Sequence, residues 1–478
     1  MISYLHFCEY NRKLARILMV SAEASPFAST GGLGEVLQGL PKALAKHGHD
    51  VAVALPLYPR VRNFNPRVVQ HSLRFASANR ALQADVAEID RNGVRYLFVD
   101  IPSLFDRAGI YGEGDVEYED NTFRYAAFCR GALAVAQHSF NPDVIHCHDW
   151  PTGILPVILS EHFRAQPALM ELKTVFTIHN LAYQGPVSLA NAKALGVNGT
   201  FKNAEASMLR GALDTAGKIT TVSPTYAREI CKAGPGCGLE SILIRRREDL
   251  HGILNGIDTE AWDPSNDQYL PAHFSAADAA GKRICKATLL NEFGLPPERI
   301  KRPLIGVVAR LATQKGLDLL SQNPQQFLDL DVSLVVMGDG NPQEEDFFRW
   351  LAAAHPGRVA AKIGYDAGIA HRIFAGSDVF LMPSRYEPCG LTQLYAMRYG
   401  TLPLVHSTGG LKDTVNGTNG FSFHVHSWRA LHQCLREMIG AWETNEWRTM
   451  QRTGMSADYS WDGPAAHYAE LYDALNHN

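Results

Sequence analysis

Apolar residues in this chain gather into short, nearly continuous runs, and between the runs they recur at helical spacing. In the first half Ala15 to Val20, Val51 to Leu55, Arg95 to Val99, Val144 to His146 and Thr174 to Ile178 read as strands. The second half repeats the rhythm with Leu304 to Ala309, Ser333 to Met337, Val359 to Ile363, Val379 to Met382 and Leu402 to Val405. Runs this short and this apolar suit strands buried on both faces, and the amphipathic stretches between them predict covering helices. The expected class is α/β with doubly wound parallel sheets. A chain of 478 residues exceeds one ordinary core. A domain boundary is expected after Leu254-Asn255-Gly256-Ile257-Asp258, with the polar, proline-containing stretch Trp262 to Pro271 read as a linker.

Charge narrows the choice of partners. A net charge of -4 without long runs of one sign gives no reason to expect nucleic acid or an anionic membrane. No apolar stretch reaches the roughly 18 residues of a membrane span. Arg12, Lys13 and Arg16 before Ile17 to Val20 loosely imitate an export signal, but the apolar core is too short; a buried first strand in a cytoplasmic protein is the expectation. The eight cysteines form no CxxC pair, which fits free thiols in a reducing compartment.

Candidate chemistry sits where strands end. In Ser384-Arg385-Tyr386-Glu387-Pro388-Cys389-Gly390-Leu391-Thr392-Gln393-Leu394, Glu387 falls in a turn between a strand and a helix carrying Leu391, Leu394, Tyr395 and Arg398. A carboxylate there can bind sugar hydroxyls while helix-terminal amides hold an anion; the competing reading is a helix cap. Arg310 and Lys315 flank a turn after another strand and suit a diphosphate, Arg as a planar fork and Lys as a mobile charge; the alternative is a solvated loop. His146-Cys147-His148-Asp149-Trp150 resembles a metal cluster, yet alternation along a strand keeps Cys147 off the face of the two histidines. Asp149 and Trp150 are instead expected to line a ligand cleft, and His179, just past a strand in Thr177-Ile178-His179-Asn180, to hydrogen-bond a sugar hydroxyl; a buried structural strand and loop compete with both. Ser29-Thr30-Gly31-Gly32-Leu33 recurs as Ser407-Thr408-Gly409-Gly410-Leu411, two glycine turns that let backbone approach a ligand or a helix.

Together, PSRYEPCGLTQLYAMRYGTLPLVHSTGGL, ARLATQKGLDLL, HNLAYQG, VSPTYAREI and LNGIDTEAWDP resemble bacterial glycogen synthases and plant starch synthases, glycosyltransferase family 5, over nearly the whole chain. Where the wider retaining superfamily has a second glutamate, this chain has Tyr395, as that family does. The resemblance implies a GT-B architecture, two Rossmann-like domains facing across a deep cleft: an extension at 1–14, a first domain at 15–256 completed by a returning helix within 456–478, and a second domain at 257–455. It implies that Arg310 and Lys315 hold the diphosphate, that Tyr365 packs near the base, and that the Leu391-Thr392 turn donates amides. Glu387, Cys389 and Gly390 would surround the glucose, completed from the first domain by His179, Asp149 and Asn255, with Ser29, Gly31 and Gly32 in the loop near the nucleotide sugar. The catalytic set implied is Glu387, His179, Asp149, Arg310 and Lys315, with no metal and no cofactor.

Two departures stand out. Ser29 occupies the place of the family's lysine in KTGGL, and Met208-Leu209-Arg210-Gly211 replaces a lysine-glycine motif on the acceptor side, while Glu35 for aspartate is mild. The activity implied is transfer of glucose from ADP-glucose to the non-reducing end of an α-1,4-glucan with retention. UDP-glucose as donor and a catalytically weakened glucan-binding homologue are the alternatives.

Overall fold

Each of the apolar runs becomes a strand, with its ends moved by two residues at most and unmoved at Val359–Ile363 and Val379–Met382. The computed structural model describes residues 14–476, except 78–79, 115, 164–165, 167–168, 170 and 203–205; the expected extension at 1–14, with Arg12 and Lys13, lies outside these residues apart from Leu14. The chain divides into two units: one runs through Val222, with Ala227–Gly256 and the segment from Trp461 onward, and the other holds Ser223–Tyr226 and Ile257–Ser460.

In the first unit β1 (Arg16–Val20), α1 (Gly32–Lys46), β2 (Asp50–Pro56), β3 (Arg67–Ser77), β4 (Arg80–Arg91), β5 (Val94–Asp100), α2 (Asn121–Val135), β6 (Val144–His148), β7 (Lys173–Ile178), β8 (Lys218–Thr221) and β9 (Leu250–Gly252) follow one another. Among the described residues they build a nine-stranded sheet ordered β9-β8-β7-β6-β1-β2-β5-β4-β3. Pairing is parallel from β9 to β5, in a register that sets Ile17 beside both Val51 and Val144. The edge hairpin β3–β4 is antiparallel. Chain order turns back at β1 and β6: β2 lies on one side of that pair, β7 to β9 on the other.

The second unit holds α3 (Ala280–Glu292), β10 (Leu304–Val308), β11 (Ser333–Gly338), β12 (Val359–Ile363), α4 (Ala367–Gly376), β13 (Val379–Met382), α5 (Thr392–Arg398), β14 (Leu402–His406), α6 (Gly409–Thr414), β15 (Phe421–Phe423), α7 (Trp428–Ala441) and α8 (Asn445–Ser456). Its sheet is parallel throughout, ordered β12-β11-β10-β13-β14-β15. Alternation along the strands feeds two cores: Ile305, Val307, Leu334, Val336, Val379 and Leu381 face one, and Leu304, Val308, Val335, Met337, Phe380 and Met382 the other. Helices on both faces explain why these strands are apolar at every position.

One expectation is corrected here. The stretch Trp262 to Pro271 is not a linker, because Trp262 stacks between His371 and Tyr395 with ring centroids 3.9 Å from each. Buried Asp267 accepts hydrogen bonds from His371 Nδ1 (2.7 Å) and the Tyr399 hydroxyl (2.6 Å); polar residues marked the segment as surface, yet they satisfy one another inside. Met208 and Leu209 are likewise fully buried, in a helix capped by Ser207.

The last helix, α9 (Asp462–Asn476), belongs to the first unit. Its Tyr472 hydroxyl lies 2.7 Å from His146 Nδ1 in β6, and Lys46 of α1 pairs with Asp462 at 2.9 Å. Gly39 of α1 leaves room for Trp461, whose indole would lie 2.0 Å from an added Cβ.

Candidate functional site

In an open parallel sheet, ligands bind beyond the carboxyl ends of the strands where chain order reverses. The second unit reverses between β10 and β13, and Arg310-to-Lys315 follows β10 as the Glu387 turn follows β13. Glu387 is buried at 6% exposure, and one carboxylate oxygen accepts from Lys315 Nζ (2.7 Å) and Ser384 Oγ (3.1 Å). The sequence assigned Lys315 to a diphosphate; the structure also makes it the counter-ion of Glu387. Arg310 is exposed, with no side-chain partner among the described residues. Tyr365 is exposed at 66% beyond the end of β12.

Gly390 takes φ 71°, and α5 begins at Thr392, so the Leu391-Thr392 amides open the helix with no partner inside it. Gln393, fully buried, donates from Nε2 to the Cys389 carbonyl (3.1 Å) and the Gly390 carbonyl (3.0 Å) and thereby locks the turn. Cys389 is buried at 5%. The second glycine pair packs directly on this turn: Gly409 has φ 46°, and a Cβ on it would fall 1.9 Å from the Glu387 carbonyl oxygen. Gly410 donates its amide to that oxygen at 3.0 Å.

The first unit reverses between β1 and β6. After β1, buried Glu23 accepts from Thr30 N (2.6 Å), Thr30 Oγ1 (2.8 Å) and the Tyr111 hydroxyl (2.6 Å), clamping the Ser29-to-Gly32 loop. Nothing stands within 4 Å of a Cβ built on Gly31, so the first glycine turn is open where the second is packed. Ser29 folds back, its hydroxyl donating to the Gly31 carbonyl at 3.2 Å.

After β6, Asp149 holds φ 58° and ψ 177°, a conformation costly for any side chain, of order 1–3 kcal/mol. Its Oδ1 accepts from the amides of His179 (2.8 Å) and Asn180 (3.3 Å). Burial pushes its carboxyl up to about 7, against those amides. Asp149, expected to meet a ligand hydroxyl, also braces the loop that carries His179, through Oδ1.

Three histidines stack along this strand end. His146 and His148 lie 4.1 Å apart by ring centroids, and His148 Nδ1 meets His179 Nε2 at 3.1 Å. Both ring nitrogens of His146 are engaged, by Tyr472 and by Thr177 Oγ1 at 2.6 Å. Burial holds His146 and His179 down to about 3 and His148 well below its ordinary value, so all three are neutral. His179 Nδ1 is left without a protein partner among the described residues. Asn255, at 8% exposure, has its Oδ1 buried without a hydrogen-bond partner among the described residues. Trp150, expected at a sugar face, is a core residue, edge-on to Tyr125 at 5.2 Å with Gly185 packed on its ring.

Glu23, Ser384 and Gln393 escaped the sequence reading. Glu23 lay among small residues at the end of a strand, and Gln393 inside a motif whose glutamate drew the attention.

Two doubly wound α/β units, one with paired cations and a carboxylate turn at its switch point, define a glycosyltransferase of the GT-B class. Residues 16–245 match the starch synthase catalytic domain family and residues 295–449 the glycosyl transferases group 1 family. The chain belongs to the glycogen and starch synthase family. A glycogen synthase of an Anaeromyxobacter species is 43% identical, covering 96% of this chain and 99% of its own; the one from Streptococcus gordonii is 40% identical, covering 96% and 100%. The catalytic domain of starch synthase IV from Arabidopsis thaliana, solved bound to ADP and acarbose, superposes with a TM-score of 0.89 at 32% identity over 98% of this chain and 100% of its own. Sucrose-phosphate synthase from Thermosynechococcus elongatus shares the fold at 18% identity and a TM-score of 0.60, over 97% and 99%. Among the described residues no helix is long and apolar enough to cross a membrane.

Proposed function

We propose that this chain transfers glucose from ADP-glucose to the non-reducing end of an α-1,4-glucan with retention at the anomeric carbon. The observation that carries the reading is the Lys315–Glu387 ion pair at the switch point of the second sheet, with Arg310 unpaired on the neighbouring turn. A pairing of two cations with one carboxylate suits a nucleoside diphosphate attached to a sugar: charge for the phosphates, an acceptor for the hydroxyls. The ADP held by the starch synthase IV structure supports the choice of base.

In this reading Arg310, Lys315 and the first amides of α5 offset charge on the departing diphosphate, so no metal is needed. The donor's own phosphate takes the proton of the incoming hydroxyl on the same face as it leaves. Glu387 positions the sugar and stabilises charge developing on it. His179, neutral at any working pH, serves as a hydrogen-bond partner of the sugar and does not act as an acid; Asp149 fixes its loop. Free cysteines, buried at Cys129, Cys147, Cys285, Cys389 and Cys434, fit work in the cytoplasm.

Ser29 favours a second reading, a glucan-binding homologue with weakened catalysis, because its hydroxyl is turned onto Gly31 and supplies no charge. Radiolabelled ADP-glucose and UDP-glucose, each incubated with glycogen without added metal, separate the readings. Label in the polymer from ADP-glucose is expected; label only from UDP-glucose overturns the donor, and none from either, with donor binding intact, leaves the binding protein.

A further inference from the structure

Lys315 and Glu387 stand on turns that follow different strands, β10 and β13, so their 2.7 Å pairing requires that one turn be fixed against the other. Backbone contacts begin the seam. The Arg385 amide donates to the Gln314 carbonyl (2.9 Å), and Gln314 Nε2 donates to the Tyr386 carbonyl (3.3 Å). Gly316 permits the close approach: it holds φ 67°, and a Cβ on it would lie 2.1 Å from the Pro383 carbonyl oxygen.

The Arg385 side chain spans the same seam. Its Nε donates to the Thr313 carbonyl (3.2 Å), Nη2 to Asp318 (2.5 Å) and Nη1 to Nδ1 of His426 (3.4 Å). Every nitrogen of that guanidinium therefore has a protein partner. His426, between β15 and α7, donates from Nε2 to the Pro383 carbonyl (2.9 Å), which leaves its Nδ1 bare to accept from the guanidinium. Burial above all, and then the charge of Arg385, keeps the His426 ring below its ordinary pKa, which preserves that acceptor. His406, the last residue of β14, donates from Nδ1 to the Ser384 carbonyl (2.7 Å). The backbone leading into Glu387 is held at Pro383, Ser384, Arg385 and Tyr386 in turn.

We propose that Arg385 is a positioning residue for glucosyl transfer, bridging Thr313, Asp318 and His426 so that the Glu387 turn is set against Lys315. It acts through Glu387, without touching the sugar nucleotide, and the role rests on the transfer reading of that turn. A misplacement of about 1 Å at a reacting centre costs on the order of 10²-fold in rate, so a bridge between two turns carries kinetic weight. The planar fork is what the bridge needs: a lysine at this position would bring the same charge but a single point of contact.

The test is steady-state transfer by the full chain from ADP-glucose to glycogen, with hydrogen exchange of the unliganded protein beside it. Arg385→Lys and Arg385→Ala should both lower kcat at least about tenfold, with ADP affinity nearly unchanged by calorimetry. In a Glu387→Gln background Arg385→Lys should cost less than about threefold, because the carboxylate it positions is gone. Asp318→Asn, which keeps the shape and removes the charge under Nη2, should lower kcat in the same direction by a smaller factor. Full kcat in Arg385→Lys makes the residue a mere charge and overturns the bridge; equal losses with and without Glu387 overturn it as well. Arg385→Lys should also speed exchange of residues 313–318 and 383–387 at least about tenfold while β10 and β13 keep their protection. Unchanged exchange in both turns overturns the bridge, and this result is readable even if the wild type transfers glucose from no donor, which would sink the transfer reading alone.

Discussion

Glu387 is a buried carboxylate whose charge is balanced by Lys315, so each constrains the other. Glu387→Gln keeps the volume and an acceptor for Ser384 while removing the charge. Its kcat should fall by about 10²–10³-fold, as for loss of one transition-state stabilising group. ADP affinity, measured by calorimetry, should hold or improve, since Lys315 is released toward the phosphates; a variant with full kcat would remove Glu387 from the chemistry. Ser29 poses the opposite case, a missing charge. The residue is half-exposed, two positions before Gly31, where nothing stands within 4 Å of an added Cβ. Ser29→Lys should strengthen ADP-glucose binding by about 1.5–3 kcal/mol, the worth of one hydrogen bond to a charged group. An unchanged Kd would mean that the donor phosphates do not approach this loop.

At the scale of elements, two copies of one five-residue pattern have parted ways. The first leads into α1 with Gly31 open, and the second leads into α6 with both glycines pressed on the Glu387 turn. A Cβ on Gly410 would lie 2.2 Å from the Cys389 carbonyl, a backbone atom that cannot swing aside. Gly410→Ala should therefore lower stability by about 1–3 kcal/mol in urea unfolding and cut kcat more than tenfold by shifting the turn, whereas Gly31→Ala should spare stability. Sequence placed both turns after strands but could not say which faced a ligand, because period and composition are the same. The strands buried on two faces were legible for the reason that both their sides are apolar. The hairpin β3–β4 was not, being an exposed edge with mostly polar residues, and β8, β9 and β15 were too short to carry a period. The positions of Arg310, Lys315, Glu387 and His179 just past strand ends were legible. The packing partners of Asp149 and Trp150 were not, since a side chain's partner is set by the returning chain.

For the whole molecule, the stacked histidines make stability depend on pH. His146 has no exposure and its folded pKa is lowered to about 3, so it stays neutral in the fold and takes up a proton on unfolding below about pH 6.5. A base whose folded pKa is depressed leaves stability intact above its unfolded pKa of about 6.5 and costs stability progressively as pH falls from there toward 3. Between pH 7 and pH 5 His146 alone should remove about 2 kcal/mol, with His148 and His179 adding in the same direction. Urea unfolding of the first unit at the two pH values checks this, and equal midpoints would mean that His146 carries its proton in the fold. The Tyr472 hydroxyl on which His146 rests stands 326 residues further along the chain, beyond the whole of the second unit. During synthesis the second unit can therefore close around its own sheet while the first, made earlier, still awaits its last helix. The part of the protein that leaves the ribosome first is the part that must be finished last.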